Sequence, residues 1–184
     1  MNRKKLTLGL VLMALGLVFV LAPRPVYAIS AQSAAINVTV TISGSLSVSV
    51  APTSYAFGSI GSGVGSVSAT SITVTNDSDT FTETFNLSAT NSANWTLSSA
   101  QGTDNFVLAA VFSSGRPGSS FVDANRRLTT SSQASSATVF AGNQTGLSVT
   151  TSATRILWFE LVTPNSTSSS AEQTTTVTVR ASNG

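Results

Sequence analysis

The sequence predicts an all-β protein, a single antiparallel β-sandwich with an extended N-terminal strand. Composition is the first reason: beyond an apolar leader, Ser and Thr make up more than a third of the chain, while Val, Ile, Phe and Ala supply most of its apolar residues. Such a mixture suits pleated, half-buried strands. Patterning is the second, since period-two runs bounded by Gly, Ser, Asn and Asp recur along the chain and no helical period interrupts them. Aromatic content is the third. Eight Phe and two Trp outside the leader are too many for a disordered polar tract.

Residues 1–28 obey different rules. Arg3, Lys4 and Lys5 make a positive head, Leu6 to Ala22 an apolar run, and Val26-Tyr27-Ala28 a cleavage site, so the segment reads as a secretory signal with the mature chain starting at Ile29. A spanning helix needs about 20 apolar residues. This run is shorter and is followed by Pro23 and Pro25. The expected location is therefore extracellular, secreted or at the cell surface, with no membrane partner after cleavage. The expected organisation is the signal over 1–28, an extended strand over 29–50 and a sandwich over 51–184.

The basic balance of the whole chain belongs to the leader. Arg3, Lys4, Lys5 and Arg24 leave with it, and Arg116, Arg126, Arg127, Arg155 and Arg180 then face seven acids, a net charge of −2. Nucleic acid is not an expected partner of such a surface. Beyond residue 28 there is no Cys, His or Lys. Disulfides, thiolate or imidazole metal sites and Schiff-base chemistry are thereby closed off. No cofactor is expected.

Taken in order, strands are predicted near 36–50, 54–58, 67–76, 81–90, 94–98, 105–113, 137–141, 146–150, 155–163 and 173–181. FVLAAVF at 106–112 and ILWFELV at 156–162 are continuous apolar runs, which predicts central strands covered on both faces. Segment 114–136, with Gly115-Arg116-Pro117-Gly118 and a Ser/Thr/Gln tail, predicts a long surface loop with a short element around Phe121.

The N-terminal stretch AINVTVTISGSLSVSV keeps one apolar phase: Ile36, Val38, Val40, Ile42, Gly44, Leu46, Val48 and Val50. At about 3.3 Å per residue it would extend roughly 50 Å, against ~17–20 Å for a usual strand. Either the segment bends at Gly44 and supplies two strands to its own sandwich, or residues 29–43 leave the domain and add a strand to a neighbouring copy. The Thr39, Thr41, Ser43 face is polar and the other apolar, as a strand laid into an open sandwich requires. Head-to-tail addition does not close on itself, so its product is a filament.

The stretch VSVAPTSYAFGSIGSGVGSVSATSITVTNDSDT at 48–80 resembles the opening of many secreted immunoglobulin-like sandwich domains, in which a Phe-Gly turn precedes a strand ending in Val-Thr-Asn. The wider layout of signal, N-terminal strand and cysteine-free, jelly-roll-like sandwich is similar to the TasA/camelysin type of biofilm fibre subunit. That resemblance implies a structural role in an extracellular matrix.

Other features carry less. Trp158, flanked by Arg155 and Glu160, and Trp95 are read as core rings rather than sugar platforms. Asn76-Asp77-Ser78-Asp79 with Glu83, and Asp104 or Asp123 as distant ligands, fits a solvated hairpin turn better than a calcium loop, so no metal is expected. Asn37, Asn76, Asn86, Asn94, Asn143 and Asn165 begin Asn-x-Ser/Thr sequons, a number the Ser/Thr content largely accounts for. Seven scattered acids without a motif do not make a glycosidase. The expectation is a non-enzymatic subunit of an extracellular filament, partnered by copies of itself and by other surface or matrix components. The alternative is a monomeric adhesive or carbohydrate-binding module.

Overall fold

The computed structural model describes residues 39–40 and 44–184. Among them there is no helix, and nine strands form two sheets: β1 (Val48–Ala51), β2 (Gly65–Val67), β3 (Ile72–Asn76), β4 (Glu83–Ala89), β5 (Thr96–Leu97), β6 (Asn105–Phe112), β7 (Gln133–Ala134), β8 (Thr154–Val162) and β9 (Val177–Asn183). The larger sheet runs β1-β3-β8-β6-β5, with β2 also on β8. The smaller runs β7-β4-β9. The all-β sandwich-like fold is therefore as expected, with one departure: β5 and β6 pair in parallel.

The two apolar runs become the two long central strands. β6 is buried along nearly its whole length, and β8 holds β6 on one side and both β2 and β3 on the other. Phe106, Leu108, Ala110 and Phe112 turn into the space between the sheets and join Val74, Phe85, Leu87 and Leu157 in the main core. Each fully buried side chain of this kind contributes about 1.5–3 kcal/mol. Ala109 and Val111 take the opposite face, where they meet Trp158 and Phe121 in a second cluster. Phe121 comes from the long 114–136 segment, so this loop is what covers the outer face of β6.

Several strand expectations are corrected. Residues 54–58 form no strand: Tyr55 and Phe57 stack edge to face at 4.8 Å beside the gap between the sheets, and their period-two spacing reflects that lining rather than a ladder. The 67–76 strand is broken into β2 and β3. Ser68 is fully buried, with its N–H donating to the Phe159 carbonyl and its Oγ accepting the Phe159 N–H, which ends the regular register there. Residues 137–141 also form no strand, because Phe140 adopts φ 55° and drops its ring fully buried into the core. Residues 146–150 are irregular too, although Val149 exchanges both backbone bonds with Glu83. β7 lies inside the expected loop and is too short to carry a pattern.

The N-terminal expectation divides. β1 begins only at Val48, pairing Val48 with Asn76 and Val50 with Val74, so Ile36–Val50 is not one continuous strand of this sandwich. Residues 36–38 and 41–43 lie outside the described residues. By its contacts the chain separates into units 1–41 and 42–184.

Candidate functional site

Each residue of the anticipated donor strand can be placed where the structure describes it. Val48 and Val50 are half-buried on β1 and pack against the main core. Leu46 is 42% exposed and Val40 87% exposed. Gly44 lies against Phe81 so closely that an added Cβ would sit 2.5 Å from the ring. Ile36, Val38 and Ile42 fall outside the described residues.

Register fixes where the chain comes in. Val48 pairs with Asn76 and Ala51 with Thr73, while Glu83 pairs with Asn183 and Ala89 with Val177. One end of the sandwich therefore carries Gly44, Phe81, Glu83 and Asn183. The other carries Ala51, Ile72, Ala89 and Val177.

At that second end the sheets part around a groove of about 780 Å³. Ile72, Leu108, Leu157, Phe159 and Leu161 floor it from the larger sheet, and Val177 and Val179 wall it from β9. Tyr55, Phe57 and Trp95 border it, with hydroxyl-rich segments 52–62 and 167–175 as a rim. Among the described residues that line it, Glu172 is the only charged one.

The β9 wall has an open edge. Thr90 donates to the Thr176 carbonyl and Gly184 to that of Thr82, so even-numbered residues turn their backbone groups to β4 and Val177, Val179 and Ala181 turn theirs away. Among the described residues β4 is the only strand paired with β9. Among the described residues those outward N–H and C=O groups meet no hydrogen-bond partner. β1 is the neighbour across the gap, without a ladder between the two.

The two tryptophans differ. Trp158 is 8% exposed and donates Nε1–H to the Ser113 carbonyl at 2.9 Å, the core role expected of it. Arg155 donates to the Thr145 and Thr154 carbonyls and Glu160 accepts the Phe121 N–H, so neither pairs with the other around the ring. Trp95 packs against the core with one edge on the groove, and its Nε1–H donates to Thr167 Oγ1 at 2.8 Å.

Most of the acids have structural partners. Asn76 Oδ1 accepts the Ser78 N–H, closing the 76–79 turn, and Asp79 accepts the Thr80 hydroxyl. Asp104 accepts the Ser168 N–H, and that bond, with the Ser168 and Thr167 hydroxyls, holds its carboxyl below the usual carboxylate range. Asp123 pairs with Arg126. Among the described residues no three Asp, Glu, His or Cys side chains come together.

Sequence reasoning found β9 as a strand but missed its open edge, and missed Tyr55 and Phe57 as groove residues. Comparison with protein-family models, with curated proteins and with solved structures gave no match.

Proposed function

We propose that the protein is a non-enzymatic structural subunit of an extracellular filament or surface assembly, polymerising by donation of its N-terminal strand to the next copy. One observation carries this reading: a single-phase apolar segment, Ile36 to Ile42, precedes a sandwich whose first strand among the described residues is at Val48 and whose β9 has, among those residues, one unpaired edge. Four buried aliphatic side chains at about 1.5–3 kcal/mol each, together with main-chain hydrogen bonds, would hold copies together firmly. Asp79, Glu83, Asp104, Asp123 and Glu160 are engaged in turns, backbone contacts or an ion pair, which supports a role without catalysis. Export through the 1–28 signal and the likeness to biofilm fibre subunits agree with a matrix or cell-surface location.

A second reading is favoured by the rings of Trp95, Tyr55 and Phe57 beside a hydroxyl-rich rim, which suit a monomeric carbohydrate-binding or adhesive module. Negative-stain electron microscopy of residues 29–184, before and after boiling in detergent, separates the two. Uniform filaments with an axial repeat near one domain length support the subunit. Dispersed globules that retain a glycan in a binding screen support the module.

A further inference from the structure

We propose that the groove floored by β8 and walled by β9 is a binding site for a single aliphatic chain with an uncharged, hydroxyl-bearing head, as in a fatty alcohol or a monoacylglycerol. The inference goes beyond both readings above and needs neither a polymer nor a glycan.

The floor selects the chain. Alternation along β8 turns Leu157, Phe159 and Leu161 into the groove and sends Trp158 and Glu160 to the other face. From Leu157 to Leu161 this makes a track of roughly 13 Å without a polar side chain, faced by Val177 and Val179 from β9. A sugar ring or an ionised group laid on that track would lose its water and find no hydrogen-bond partner in exchange. An alkyl chain gives up nothing there and covers Phe159 and Leu161, which are only half-buried. The volume of about 780 Å³ lies within the ~300–1,000 Å³ of sites that take small molecules, which are likewise mostly apolar with a few polar groups at fixed places.

The rim selects the head. Thr53, Ser54, Ser59 and Ser169 bring hydroxyls to the mouth, which suit a head that both donates and accepts hydrogen bonds. Among the described lining residues there is no cation, and the one charge is Glu172. A carboxylate head would therefore meet no counter-ion and a charge of its own sign. The mouth also has a loose side. Residues 52–60 border it between β1 and Gly61, whose carbonyl accepts the Thr163 hydroxyl. Within that span one hydrogen bond is made among the described residues, from the Ala69 N–H to Tyr55 Oη at 2.7 Å, so a ligand can enter without parting any strand pair.

The test titrates the mature chain, residues 29–184, with a series from octanoylglycerol to tetradecanoylglycerol, each below its aggregation threshold. Calorimetry gives the affinity, and the fluorescence of Trp95, whose ring borders the groove, gives a second signal. Binding should tighten about three- to fourfold for each added methylene, the factor that follows from burying one CH2 group, and level off within the series once the track is full. Dodecanoate should bind about tenfold or more weakly than dodecanoylglycerol, for want of a partner for its charge. Val177→Trp fills the groove from its wall and should abolish binding, with Val179→Trp as a second blocking variant and circular dichroism to show that each still folds. Leu147→Trp, exposed and outside the groove, should bind like the parent. Uptake that climbs without levelling, or that survives in both folded blocking variants, is partition onto the surface and overturns the site. Equal affinity for dodecanoate overturns the choice of head. Absence of glyceride binding overturns the proposal outright, and retention of a soluble oligosaccharide in its place assigns the groove to the carbohydrate-binding module.

Discussion

The backbone N–H of Ser47 donates to Oε1 of Glu83 at 2.7 Å, joining the residue just ahead of β1 in one sheet to the first residue of β4 in the other. Glu83 is fully buried, and its own N–H and C=O are both bonded to Val149. The carboxylate therefore grips the point where the chain enters the sandwich from a residue that is itself fixed on three sides.

Removing that grip should be costly. Glu83→Ala leaves the Ser47 N–H without its acceptor and a void beneath it, and is expected to destabilise the fold by about 1–3 kcal/mol, the scale of leaving a polar group unsatisfied. Glu83→Gln keeps an acceptor oxygen and should lose less. Urea midpoints at constant slope are the measurement, and equal midpoints for the two variants would show that the hydrogen bond contributes nothing.

Gly142 offers a steric test of the packing along β6. An added Cβ would lie 2.6 Å from the Phe112 carbonyl oxygen, a backbone atom that already accepts N–H groups from Gly142 and Gln144 and so cannot withdraw. Gly142→Ala should cost about 1–3 kcal/mol, the usual range for overpacking. Gly118→Ala meets nothing within 4 Å and should leave the thermal midpoint unchanged.

Asp104 gives the stability a pH dependence. Its carboxyl is held below the ordinary value of 3.8, chiefly by the Ser168 N–H and then by the Ser168 hydroxyl. A carboxyl depressed on folding stabilises the native state above its unfolded value and loses that contribution as pH falls through the native one. Asp104→Asn tolerates the same positive φ of 53° but cannot ionise. Its midpoint should sit below that of the parent protein at pH 7, and the two should converge as the solution is acidified below pH 3.8. A constant gap across that range would rule the carboxylate out as the cause.

Deleting residues 29–43 separates fold from assembly. β1 starts at Val48 and is anchored through Ser47, so if residues 29–43 serve assembly alone the shortened chain should keep its β-sheet circular dichroism and melt within about 0.5 kcal/mol of the parent. Filaments should vanish. Collapse of the monomer instead would place those residues in their own sandwich.

The central strands were legible because a continuous apolar run can only serve a strand with both faces covered, and FVLAAVF and ILWFELV are such runs. The source of the outer cover was not. Phe121 follows a Ser- and Gly-rich run with only Val122 beside it, and only folding brings the pair over Ala109 and Trp158. Tyr55 and Phe57 imitate a strand, since two rings that border a gap alternate just as a pleat does. Ser68 breaks a ladder that Val67 and Ile72 would otherwise continue, through a hydroxyl bond that periodicity does not register. At the site, alternation exposes Val177 and Val179 as one face of a strand, but an open edge is a matter of strand order. Local pattern carries no information about which strand lies beside which.

Gly44 and the groove at Tyr55 occupy opposite ends of the sandwich. The domain is in that sense a vector, with two ends made of different residues. A rod built by joining one end to the other would have two unlike tips, and a molecule blocking either tip would arrest growth there while leaving the opposite tip active.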